Sequence, residues 1–190
     1  MQQSRVRYIV FCGLFIALTV ALKMVNINLF QYLRIGFGLI PVIVSGFLLG
    51  PGAGLLVGAL ADILGYFFFS WGQVYFPGYT FTYALAGFLP AFLCYHRTRE
   101  NGRLYFTLNL QAPRLFWRML VCIGVSQLLN SVLLNTLFLE WTGQGKFIIS
   151  FPQRLLTQCL MVPIFTAVSL AAMKAYGRYI RTGTLKNTLF

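Results

Sequence analysis

Asp62 is an acid set deep inside an apolar run. A carboxylate there is costly unless it pairs with a cation or accepts hydrogen bonds from a molecule that enters beside it. Two arginines, Arg34 at the mouth of one apolar run and Arg154 in the first turns of another, leave a positive excess suited to an anion. A second polar set, Gln127, Asn130, Ser131 and Asn135, is spaced to lie on one helical face. Gln153, Arg154, Thr157 and Gln158 fall within two turns of another helix. Flat rings that could sandwich a ligand are Phe37, Tyr66, Phe76 and Tyr79. This inventory supports binding better than catalysis. Acid–base candidates are Asp62, His96 and Glu140, which lie at different depths and cannot easily converge on one substrate. His96 is the only histidine, and Cys12, Cys94, Cys122 and Cys159 sit in apolar runs without paired spacing. Neither a metal site, a nucleophilic triad nor a cofactor is expected. Gly50-Pro51-Gly52-Ala53-Gly54 lacks the Lys-Ser/Thr ending of a phosphate loop, so the chain does not hydrolyse ATP itself.

The elements that hold these residues follow from composition. With 58% hydrophobic and 9% charged residues, the chain cannot be a water-soluble domain. Lys and Arg number 15 against 3 Asp and Glu, which would suit nucleic acid if the basic residues shared one polar face. They lie instead at the ends of apolar runs, the pattern of a polytopic membrane protein. We expect an all-α integral membrane protein, a compact bundle of six transmembrane helices, with spans at about 8–24, 35–49, 52–69, 77–95, 115–139 and 151–175. Residues 176–190 are expected as a basic, mobile tail. The first run follows Arg5 and Arg7 like a signal peptide, but no small-x-small cleavage site follows it and further spans do. Gly50-Pro51-Gly52 divides Ile35 to Ala61 into two helices. Six spans put both termini and the basic loop from His96 to Arg103 on one side, the cytoplasm of a bacterial cell, whereas five would separate the basic loop from the basic tail.

Counting about 1.5 Å per residue from Gly52 places Asp62 roughly 15 Å deep, near the midplane. The polar positions gather in the outer half of the bundle, which describes an outward-facing pocket closed below rather than a channel lined along its length. Each residue also has a plainer reading. Asp62 could be the structural counter-ion of Arg34 or Arg154. The amides could be interhelical glue, and the aromatics, Trp71 and Tyr75 among them, an interfacial belt.

Small residues recur every four positions in three places: Gly13, Ala17 and Ala21; Gly46, Gly50, Gly54 and Gly58; Ala167, Ala171 and Ala175. Such stripes let helices approach closely, mostly within one protein and in some cases between subunits.

The run Leu33-Arg34-Ile35-Gly36-Phe37-Gly38-Leu39-Ile40-Pro41-Val42-Ile43, then Gly50-Pro51, Gly58-Ala59-Leu60-Ala61-Asp62-Ile63-Leu64-Gly65 and Phe76-Pro77-Gly78-Tyr79-Thr80, resembles the substrate-binding S component of energy-coupling factor (ECF) vitamin transporters, most nearly the folate family. The second half resembles it through span number and length. The resemblance implies a vitamin-binding subunit that captures its ligand outside and docks on a transmembrane scaffold subunit with two cytoplasmic ATPases. It also implies that Ala17-Leu18-Thr19-Val20-Ala21, with Gly13, is the face that meets the scaffold. On this reading Asp62 accepts the paired N–H donors of a pterin and Arg34 or Arg154 takes the glutamate carboxylates. Asn130 and Gln158 complete the site. Riboflavin, pantothenate or a small membrane enzyme are the alternatives.

Overall fold

The computed structural model describes residues 2–24, 26–30, 33–68, 75–100, 103–109, 114–143, 147–180 and 184–188. Its helices are α1 (Gln2–Met24), α2 (Leu39–Leu49), α3 (Pro51–Phe68), α4 (Pro77–Cys94), α5 (Leu115–Gln127), a π-helical segment (Leu128–Leu134), α6 (Asn135–Trp141) and α7 (Phe147–Ile180). Because α5, the π segment and α6 run on without a break, six helical rods make the bundle. Three apolar stretches, Pro51–Phe68, Leu115–Trp141 and Arg154–Ala175, are long enough to cross a membrane, and Tyr8–Met24 and α2 are shorter apolar helices.

The breaks fall where backbone chemistry requires them. Gly50 has φ 103°, which suits glycine because it has no β-carbon, and Pro51 opens α3 at once. Pro77 opens α4 in the same way, after extended Phe76. With eleven residues, α2 is about 16 Å long, too short to span a bilayer alone. It is instead lodged in the bundle interior, with every residue from Pro41 to Phe47 buried.

The connections hold more order than expected. Span two was expected from residue 35, but Asn26–Phe30 (β1) and Leu33–Gly36 (β2) pair as a hairpin and α2 starts only at Leu39. The expected open loop after α4 is a hairpin of His96–Glu100 (β3) and Arg103–Asn109 (β4), with Glu100 opposite Arg103. Its period-two pattern, Leu104, Phe106 and Leu108, sits beside a run of charges that masks it. The stretch expected as a tail continues α7 to Ile180 and then supplies Thr184–Thr188 (β5), which pairs with β4.

Two halves of the bundle differ. An apolar core of Ile43, Phe47, Ala91, Cys94, Leu115, Met119, Ile123, Met161, Phe165 and Met173 fills the end where α4 leaves and α5 enters. Tyr95 seals it by donating its hydroxyl to the Phe47 carbonyl. Side chains such as Leu56, Phe67, Val121, Trp117 and Leu156 point outward, which is tolerable in lipid and not in water. Lys23, Asp62, Arg154 and the side-chain amides collect toward the other end, while buried Ser45, Thr166 and Ser169 lie along the helices that carry the core.

Candidate functional site

Asp62 lies eleven residues beyond Pro51 on α3, about 16 Å along the helix. On the plainer reading its counter-ion would be Arg34 or Arg154. The structure gives it a different one, as Lys23 in the last turn of α1 places Nζ 2.7 Å from Asp62 Oδ1. Two glycines make that reach possible. A β-carbon on Gly38 would come within 2.9 Å of Lys23 Cγ, and one on Gly65, a turn beyond Asp62, within 2.9 Å of Lys23 Cδ and 3.0 Å of Nζ. The ammonium also lies 4.0 Å from the centre of the Tyr83 ring, a cation–π distance.

The second carboxylate oxygen is held from α4. Thr80 donates its hydroxyl to Asp62 Oδ2 at 2.8 Å. Tyr75 and Thr80 hydroxyls are 2.8 Å apart, and since the Thr80 hydrogen is committed to Asp62, Tyr75 is the donor between them. The Tyr75 ring leans on Tyr66 with centroids 5.1 Å apart. Lys23, Thr80 and Tyr83 thus join a site in which the sequence reading named Asp62 and Tyr66.

A cluster of rings lies where α4 and α6 meet. Phe76 packs edge-on against Tyr79, Phe138 and Trp141 at 5.6, 5.4 and 6.2 Å. Phe37 is half-buried and packs against the apolar core.

The amide face follows the π-helical segment, a feature that recurs at functional sites because it re-aims the side chains it carries. Ser131 is its hub: Gln158 donates from Nε2 to Ser131 Oγ at 2.7 Å, and Arg154 donates to the Ser131 carbonyl at 3.3 Å. Thr82 on α4 donates to Asn135 Oδ1 at 3.0 Å. Asn130 and Gln127 are almost wholly buried, yet both amide groups lack a hydrogen-bond partner among the described residues, as does Gln158 Oε1. Such atoms are expensive unless something satisfies them. Among the described residues, the Lys23–Asp62 pair is the ion pair, and Arg154 has no acidic partner.

Asp62, Tyr66, Phe76, Tyr79, Asn130, Arg154 and Gln158 therefore all belong to the polar part of the bundle. The backbone of Arg34 is opposite Asn28 in the β1–β2 hairpin, while its side chain, that of Gln153, and Trp71 lie outside the described residues. Lys23 left a usable signal in the sequence: a cation ending an apolar run at a depth that its flexible stem can exchange for another helix's acid. No group of three His, Cys, Asp or Glu side chains that could hold a metal occurs among the described residues.

The family described as ECF-type riboflavin transporter, S component, matches residues 3–175. The chain belongs to the S components of ECF-type transporters. This S component is 33% identical over 147 residues to the folate transporter FolT of Clostridium novyi (strain NT), covering 77% of its own length and 76% of the relative. Its fold is similar to that in a crystal structure of FolT bound with folic acid, with a TM-score of 0.66, 22% identity, and coverage of 86% of this chain and 92% of that one. It is also similar to a structure described as the S component of a bacterial ECF transporter, with a TM-score of 0.66, 16% identity, and coverage of 94% and 99%. The S component is thus a membrane-embedded helical transporter subunit of a family that is not enzymatic. The two vitamins named among its relatives differ, so the ligand has to be argued from the site.

Proposed function

We propose that this S component binds folate in the polar half of the bundle and delivers it by docking on an ECF module. The observation that carries the reading is the charge balance. Asp62 is matched by Lys23, so among the described residues Arg154 is a cation without an acid beside amides without partners, a setting for a ligand that brings its own carboxylate and polar groups. Folate supplies both, with a glutamate tail for Arg154 and Arg34 and a flat pterin for Asp62 and the rings of Tyr66, Phe76 and Tyr79. Phe37, which packs against the apolar core, stays in the proposal as a further ring of the site. The 33% identical relative named a folate transporter points the same way.

Docking is proposed for α1. Gly13, Ala17 and Ala21 are exposed, and a β-carbon on Gly13 would touch nothing within 4 Å. The stripe of Gly46, Gly54 and Gly58 is used internally, where added β-carbons would strike Gly87 and Tyr83 carbonyls. On this reading a transmembrane scaffold with two cytoplasmic ATPases meets the α1 face, and ATP hydrolysis belongs to those partners.

Riboflavin is the second reading, favoured by the description of the matching family. It has no carboxylates to engage an unpaired arginine. Titrating the purified protein with folic acid, riboflavin and pantothenate, following tryptophan fluorescence, tests the assignment. Folic acid is expected to saturate the signal at the lowest concentration, and tight riboflavin binding without folic acid binding would replace it.

A further inference from the structure

The Asp62 carboxylate is held at both ends. Each of its oxygens presents about two lone-pair directions. Among the described residues Lys23 takes one on Oδ1 and Thr80 takes one on Oδ2, at 2.7 and 2.8 Å, which leaves one direction on each oxygen. An aspartate head otherwise turns easily, because its terminal torsion has a broad, shallow preference. Here both anchors are themselves fixed. The Lys23 stem passes the gaps left by Gly38 and Gly65 and its ammonium meets the Tyr83 ring, while Tyr75 occupies Thr80 so that the threonine hydrogen is aimed at Asp62.

We propose that Lys23 is a specificity-determining positioning residue, which with Thr80 turns the Asp62 carboxylate so that its two unused acceptor directions meet a pair of neighbouring N–H donors on a flat heterocycle. The inference rests on the folate reading and adds a role for Lys23 that the charge balance alone does not give. Lys23 acts through Asp62 and contributes no contact to the carboxylate tail of the ligand. A ligand with one N–H, or with none on its ring edge, gains nothing from a carboxylate held in this way. Two parallel charge-assisted hydrogen bonds are stronger and more directional than one.

The experiment compares folic acid with 4-aminobenzoyl-glutamate, which keeps the tail and lacks the pterin. Both are titrated calorimetrically into purified wild-type protein, Lys23→Met and Thr80→Val, and the thermal midpoint of each protein is recorded without ligand. Lys23→Met is expected to weaken folic acid by about tenfold or more and to leave 4-aminobenzoyl-glutamate unchanged, since an unfixed carboxylate loses at least one of two hydrogen bonds. Thr80→Val is expected to show the same selective loss, and because it strands no charge it keeps the test alive if Lys23→Met does not fold. Equal losses for both ligands would overturn the proposal and make Lys23 an anion contact. Unchanged folic acid affinity in a variant with a lowered midpoint would overturn it in favour of a purely structural ion pair. Wild-type protein that takes up no folic acid would instead remove the folate reading, an outcome visible before any variant is compared.

Discussion

Gly54 on α3 and Gly87 on α4 meet backbone to backbone, and a β-carbon on either would strike the carbonyl of the other. In lipid the hydrophobic effect does not drive helices together, so close packing of this kind supplies much of what holds them. Gly87→Ala is expected to cost about 1–3 kcal/mol, because carbonyls cannot swing away as a side-chain end can. Gly13→Ala, with nothing nearby, should be neutral or gain up to about 1 kcal/mol of helix propensity. Thermal unfolding of both variants in the same detergent checks the contrast.

Asp62→Asn separates two roles. The single variant strands the Lys23 charge, a loss of about 3–5 kcal/mol for a buried pair, somewhat less here because both side chains keep 14–17% exposure. Adding Lys23→Met removes the stranded charge. The double variant is therefore expected to recover stability while binding folic acid at least tenfold more weakly than wild type. Wild-type affinity in the recovered double variant would make Asp62 structural.

Arg154→Met should weaken folic acid by about ten- to a hundredfold through loss of a charge-assisted hydrogen bond. The midpoint of the ligand-free protein should barely move, since the described contact of this side chain is a long one, 3.3 Å, to the Ser131 carbonyl. Calorimetry and a melting curve on the same sample give both readouts.

Ligand alone should stabilise the wild-type protein. Folic acid at a hundred times its dissociation constant is expected to add about 2.7 kcal/mol, seen as a higher melting midpoint, with riboflavin giving no such rise.

Ala17→Trp and Ala21→Trp are expected to abolish uptake and co-purification with the ATPase module while folic acid binding by the isolated protein stays intact, because a bulky ring holds two helices apart. Uptake that survives both changes would move the docking face to Ala167, Ala171 and Ala175, which are also exposed.

Much of the bundle was legible because its punctuation is local. Gly50-Pro51 and Phe76-Pro77 act within one or two residues, and α3 and α4 begin where those residues dictate. The inward set on the fifth rod was legible too, for Gln127 and Asn130 are buried and Ser131 and Asn135 half-buried. What escaped depended on distant partners. As possible counter-ions of Asp62 the sequence offers Arg34 and Arg154, which stand in prominent positions, whereas Lys23 reaches it only through space that Gly38 and Gly65 leave open, a fact of three dimensions. The β3–β4–β5 sheet was hidden because a strand of mixed charge and a C-terminal strand gain their pairing from each other and show little on their own.

The π-helical segment also works as a phase shifter. Its wider turn, with the Asn135 N–H bonded to the carbonyl of Asn130, takes up one residue more than an α-turn does. One residue is about 100° of rotation, so everything beyond it is turned by that angle relative to an unbroken α-helix. Thr82 meets Asn135, and Phe76 meets Phe138 and Trp141, in the shifted phase. Were the segment to tighten into regular α-helix, α6 would swing its aromatic side away from α4 while Gln127 stayed in place. The stretch from Leu128 to Leu134 thus sets the bearing of the far end of its rod independently of the near end.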